Sequence, residues 1–137
     1  MSQQTIFQRI GGFPTFERLV NDFYSRVEAD PELRPVFPAE LEEGKRAQML
    51  FLAQYFGGPD VYSQERGHPR LRMRHAPFEI GQHERDLWLG HMLAAIDAVS
   101  ITEPARTEMR EYFNRAATFM INKLDPGHPS LKVVRSQ

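Results

Sequence analysis

Glycine and proline cut this chain into pieces that leave room for helices and little else. Gly11-Gly12, Pro31, the pair Pro35 and Pro38, Gly57-Gly58-Pro59, Pro77 and Pro126-Gly127 each interrupt the backbone. Proline lacks an N–H and clashes with a preceding turn, and glycine lets a chain leave a helix at low cost. Between the breaks the apolar residues follow a helical rhythm. A short first helix carries Ile6, Phe7 and Ile10. Phe16, Leu19, Val20, Phe23, Tyr24 and Val27 then recur at three-and-four spacing up to Asp30-Pro31, as one face of an amphipathic helix requires. From about Leu41 a stripe of Gly44, Gln48, Phe51, Leu52 and Tyr55 predicts another. After Gly81, Trp88, Met92, Ala95, Ile96 and Val99 share a face. Thr102-Glu103-Pro104 then reads as a helix start, with the threonine hydroxyl as cap. Met109, Phe113, Ala116, Ala117, Met120, Ile121 and Leu124 mark the inward side of that last helix. The run from Pro59 to Pro69 has neither period and reads as a long loop, and long loops in compact domains are usually functional. No stretch reads as a strand, and the expected class is all-α.

At 137 residues the chain is sized for one domain, expected over residues 1–127, with 128–137 as a loose tail. There is no cysteine, which excludes disulfides, thiolate-held zinc, iron–sulfur clusters and a cysteine nucleophile. Seventeen basic residues against eighteen acidic ones create no field that would draw nucleic acid or an acidic membrane. The start is polar and no run of about twenty apolar residues occurs, so a cytoplasmic protein is expected. Glu65-Arg66-Gly67-His68 spells Glu-x-x-His, but glycine and proline at 67 and 69 oppose a helix there and no second copy exists, so a carboxylate di-iron centre fails.

Against this background Arg72-Met73-Arg74-His75-Ala76-Pro77-Phe78 stands out. Pro77 pushes Ala76 away from helical angles, so the His75 imidazole sits where a turn must stop and can reach toward whatever the neighbouring helices enclose. The inward stripes also carry Tyr24, Gln48 and Trp88, three side chains able to donate hydrogen bonds where donors are costly to bury unpaired. On its own helix Tyr24 is better explained as a tyrosine reaching the surface, and Gln48 is explained equally well as a glutamine at the stripe's edge. Taken together, donors converging opposite one constrained imidazole describe a haem pocket with one axial position left for a diatomic ligand.

Particular residues resemble a known family, the truncated haemoglobins, and within it the second group, whose members carry a tryptophan in the helix after the proximal histidine. These are Gly11-Gly12, Phe23-Tyr24, Gln54-Tyr55-Phe56-Gly57-Gly58-Pro59, Tyr62, the run from Arg66 to Phe78, and Glu84-Arg85-Asp86-Leu87-Trp88. The resemblance spans residues 6 to 124 and implies a two-over-two helical sandwich around haem b. It makes His75 the proximal iron ligand and Tyr24, Gln48 and Trp88 the distal residues that stabilise the bound gas. Phe37 falls where the family packs an aromatic on the haem; some members have tyrosine there, and phenylalanine removes one hydroxyl. Phe51 counts as a further haem contact. Gly44 falls at the distal gate, which then offers no hydrogen bond and stands open. Arg72, Arg74 and Tyr62 are the residues placed to meet the haem propionates.

The resemblance further implies O₂, NO and CO as ligands, with a reductase as partner, in a monomer or homodimer. Donors in a dry pocket stabilise partial negative charge on a ligand more strongly than water does. Slow O₂ release is therefore expected, coupled to redox chemistry of O₂, nitric oxide or peroxide. A reversible oxygen carrier or gas sensor is the alternative, and a haem-free helical interaction module is a third reading.

Overall fold

The computed structural model describes residues 4–69 and 79–122, and six α-helices lie among them. In chain order they are α1 Ile6–Ile10, α2 Phe13–Glu28, α3 Glu42–Tyr55, α4 Val61–Arg66, α5 Gln82–Ala98 and α6 Ala105–Phe119, with a 3₁₀ turn at Arg34–Val36. No strand occurs among the described residues. The pair α2 and α3 packs over the pair α5 and α6, chiefly through α2 against α5, which is the two-over-two sandwich. Apolar burial holds the layers together: Phe16, Leu19, Phe23 and Val27 of α2, Met92, Ala95 and Ile96 of α5, and Met109 of α6 are fully buried. Each of these side chains except Ala95 contributes about 1.5–3 kcal/mol by leaving water. No helix among the described residues is long and apolar enough to cross a membrane.

Local chemistry explains where the helices begin and turn. Thr5 and Gln8 bond reciprocally to each other's backbone N–H, a capping box that starts α1. The α2 end is closed by Asp30, whose carboxylate accepts from the Glu32 and Leu33 N–H groups. The Arg34 guanidinium donates to the Phe37, Pro38 and Ala39 carbonyls and fixes the corner that presents Phe37. Two histidines of α5 then bind this corner to the opposite layer, His83 to Glu32 at 2.9 Å and His91 to Asp30 at 2.7 Å.

Four features differ from the sequence reading. The expected loop contains α4, held because Tyr62 is buried against Phe51 at 5.5 Å between ring centroids and Ser63 bonds twice to the Gln54 amide. On α3, Tyr55 lies outside the inward face, at 51 % exposure, while Leu50 and Ala53 are buried instead. At α6 the cap is not Thr102: the Glu103 carboxylate accepts from the Thr107 N–H and hydroxyl. That helix also ends earlier than expected, at Phe119, because Asn122 pairs with Ile80, its N–H donating to the Ile80 carbonyl and its Oδ1 accepting from the Ile80 N–H. The expected tail, Leu124, and the segment holding Arg72, Arg74 and His75 lie outside the described residues.

Candidate functional site

Between the two layers lies a cavity of about 330 Å³, near the lower end of the roughly 300–1,000 Å³ common for ligand and cofactor sites. Tyr24 of α2, Gly44, Gln48 and Phe51 of α3, Trp88 of α5, Phe37 of the corner and Tyr62 of α4 all line it. The seven sequence-predicted site residues that are described therefore meet in one place, although they come from five separate segments.

Their geometry is that of groups held ready for something else. The Tyr24 ring is wedged edge-on between Phe23 at 5.5 Å and Phe37 at 5.8 Å. Burial pushes its phenol pKa up to about 12, so the hydroxyl stays protonated and able to donate at any ordinary pH. A Cβ at Gly44 would stand 3.0 Å from that hydroxyl. Glycine at this position thus leaves the space into which the phenol points, in addition to any role at a gate. Trp88 is set by ring contacts with Phe23 at 5.3 Å and Phe113 at 5.9 Å. Gln48 Oε1 is buried with no hydrogen-bond partner, the one such side-chain atom among the described residues. A buried amide oxygen left unpaired costs about 1–3 kcal/mol, a cost that a pocket kept for a ligand explains and a finished core does not.

Sequence reasoning read Phe113 as inward without giving it a place in the site and passed over Tyr112. Tyr112 and Phe113 of α6 both line the cavity, and burial pushes the Tyr112 phenol up to about 12. Tyr112 precedes Ala116 and Met120 at i, i+4 spacing, and those two lie on the face read as inward, so the same stripe extended one turn back was the signal for it. Arg66 and Arg85 also reach the rim. Arg66 lies 3.4 Å from Glu43, and Arg85 is held by Asp86 at 3.0 Å, by the Thr118 hydroxyl at 3.1 Å and by Asn114.

The donor set, the apolar walls and the space beside Gly44 fit a flat apolar cofactor with a small polar ligand on the Tyr24 side. Comparison with known proteins agrees. The profile of the bacterial-like globins matches residues 5–122. A group 2 truncated haemoglobin, YjbI of Bacillus subtilis, is 40% identical over 114 residues, covering 83% of this chain and 86% of the relative. The solved haemoglobin of the thermophilic phototroph Chloroflexus aurantiacus is 61% identical with a TM-score of 0.86, covering 88% of this chain and 100% of that one. The solved truncated oxygen-avid haemoglobin of Bacillus subtilis is 39% identical with a TM-score of 0.82, over 87% of this chain and 100% of its own.

Proposed function

Since the chain belongs to the bacterial-like globins, as a group II truncated haemoglobin with haem as cofactor and gases such as O₂ as ligands, we propose that it releases O₂ slowly and uses it in redox chemistry. The observation that carries this reading is that three side chains able to donate, Tyr24, Gln48 and Trp88, line one cavity, in which the Gln48 oxygen is also left without a protein partner. The Bacillus subtilis relative described as oxygen-avid supports it by analogy.

Bound haem supplies a ferrous iron at which a diatomic gas is captured and polarised. The protein's part is to hold donors toward the charge that develops. The Tyr24 hydroxyl, the Trp88 indole N–H and the Gln48 NH₂ are the groups that would donate to it. In the proposed assignment His75 is the proximal ligand, Phe37, Phe51 and Gly44 border the haem, and Tyr62, Arg72 and Arg74 meet the propionates. The apolar wall excludes water, so each donor acts in a medium of low polarity and needs no reorganisation when charge appears. Donors held toward a charged ligand suit oxidation of nitric oxide by bound O₂ or turnover of peroxide, and a reductase would be the electron donor, in a cytoplasmic monomer or homodimer. Simple transport or sensing would call for quicker release.

Stopped-flow measurement of O₂ dissociation from the ferrous haem-loaded protein tests the reading. Slow release, with nitric oxide consumed by the O₂-loaded form, supports it. Rapid release without consumption of nitric oxide or peroxide would return the protein to the carrier or sensor class. Haem retention lost in His75→Ala and restored by imidazole is the expected outcome for the proximal assignment.

A further inference from the structure

Two cations stand on the rim of the cavity, Arg66 and Arg85, and the protein uses them differently. Arg85 is spent inside the molecule, where Asp86, the Thr118 hydroxyl and Asn114 take its donors. Arg66, the last residue of α4, has a side chain only 23 % exposed, and among the described residues it meets one charged partner, Glu43 at 3.4 Å. That distance is long for a charge-assisted hydrogen bond, which runs to about 2.7–2.9 Å. Glu43 is itself 76 % exposed, so water screens the attraction. Beside it the same two helices form a tight pair, Arg46 with Glu65 at 2.8 Å, although both of those side chains are more exposed than Arg66. The looseness does not come from the backbone. α4 is fastened to α3 by that tight pair and by two bonds between Ser63 and Gln54, and its Tyr62 is buried. Gly67 follows at φ +73°, a conformation that turns the chain away directly after Arg66. A fork of five N–H donors is thus fixed at its base and held at the rim, loosely matched to one screened carboxylate.

We propose that Arg66 is shared between Glu43 and a haem propionate, and that Glu43 thereby sets how firmly this protein keeps its haem. The inference rests on haem being the cofactor and on none of its reactions, and it adds Arg66 to the propionate-binding residues assigned above. Ala47, one turn after Glu43, and Tyr62 line the same cavity as the pair; neither carries a charge that would compete for an arriving carboxylate. A guanidinium fork pairs best with one carboxylate through two parallel hydrogen bonds. Glu43 draws on the same fork and sets a like charge beside the propionate, so it opposes retention. Arg66 is the binding residue of the two, and Glu43 is a positioning residue that acts through it.

The test is haem loss from the ferric haem-loaded protein to excess apomyoglobin at low ionic strength, for the wild type, Arg66→Gln, Glu43→Gln and the double variant. Arg66→Gln should speed haem loss about two- to fivefold, and Glu43→Gln should slow it by a similar factor, the range that partly exposed ion pairs support. In the double variant the Glu43 effect should vanish, because the residue it acts through is gone. High salt should shrink both differences. With haem whose two propionates are methyl esters, all four proteins should lose haem at one rate, and this control separates a propionate contact from loosened packing of α4. Haem loss from Arg66→Gln equal to that of the wild type, or a difference that persists with the ester, overturns the assignment of Arg66. Faster loss from Glu43→Gln would mean that Glu43 braces Arg66 rather than competing for it, and overturns the sharing. Oxygen release reports on the distal wall and haem loss on this rim, so either reading fails without the other.

Discussion

Two regions of the molecule use glycine to bring elements close, and they treat polar groups in opposite ways. Where α1 meets the end of α3, a Cβ at Gly57 would overlap the Thr5 side chain and one at Gly58 would stand 2.6 Å from the Phe7 ring. There the polar groups are paired: the Thr5 hydroxyl accepts from Gln8, the Phe7 N–H donates to the Phe56 carbonyl, and the Thr15 hydroxyl donates to the Ile10 carbonyl at 2.6 Å. Across the cavity, Gly44 makes the same kind of room beside Tyr24, yet Gln48 Oε1 is left without a partner. The first region is completed by its own chain. The second is completed by what enters it, and the difference separates residues kept for stability from residues kept for function.

The same substitution should therefore have opposite consequences in the two regions. Gly57 has φ +101°, where a side chain is strained in addition to its clash, and each effect costs about 1–3 kcal/mol. Gly57→Ala should lower unfolding free energy by about 2–6 kcal/mol, read from denaturant titration of the haem-loaded protein, while gas kinetics of the folded fraction stay put. Gly44 lies on helical backbone, where alanine is favoured over glycine by up to about 1 kcal/mol. Gly44→Ala should leave stability nearly unchanged but displace the Tyr24 hydroxyl and accelerate O₂ release. Equal losses of stability at both positions would erase the contrast.

Trp88 tests the cavity side more directly. Its N–H can only donate, and a hydrogen bond to a charged acceptor contributes about 1.5–3 kcal/mol. Trp88→Phe retains a ring for Phe23 and Phe113 to pack on and should speed O₂ release by about ten- to a hundredfold, taking ~1.4 kcal/mol per tenfold. Carbon monoxide, which carries less negative charge, should change less. Adding Tyr24→Phe should give a non-additive result, because the two donors would share one acceptor. Equal acceleration of both gases would mean an enlarged pocket rather than a lost bond.

The two regions were not equally legible in the sequence. The four long helices could be read because each buries a continuous face, and Tyr24, Gln48 and Trp88 stood out as donors on such faces. The corner carrying Phe37 was marked by its flanking prolines. Hidden features depended on distant partners. The six-residue α4 is too short to show a period and is stabilised by Gln54 and Phe51 of another helix. The end of α6 is set by Ile80, forty-two residues away. Tyr55 and Tyr112 were misread or passed over because α3 and α6 each present two adjoining stripes, and periodicity alone does not say which one a neighbouring helix will cover.

A smaller effect is expected at Gln48. Gln48→Met keeps length and removes the unpaired oxygen, and relief of that desolvation should raise the unfolding free energy of the haem-free protein by about 1 kcal/mol. O₂ release should quicken at the same time. If the variant were less stable without haem, the amide would have a structural partner and the cavity wall would belong with the α1 region.

The weakest effect concerns the two histidine pairs that bind the Phe37 corner to α5, because His83 and Glu32 are both largely exposed and solvent screens their attraction. The hydrogen bond that the His83 ring donates to Glu32, aided by the charges of Glu32, Glu84 and Asp86, raises the His83 pKa above its ordinary 6.5. A raised folded-state value means that the pairing stabilises fully below the unfolded pKa and fades as pH climbs through the folded one. Asp30 behaves in the opposite sense. The His91 hydrogen bond, with the Glu32 and Leu33 N–H groups, lowers it from 3.8 despite burial, so its contribution is present above that value and is lost as pH falls through the folded one. Both pairings hold between about pH 4 and 6.5. Glu32→Gln should therefore cost stability at about pH 5.5 and converge on the wild type above the folded His83 value, with the Asp30 side unaltered. A stability difference that stays constant from acid to alkaline pH would show that Glu32 acts on the corner by some route other than His83.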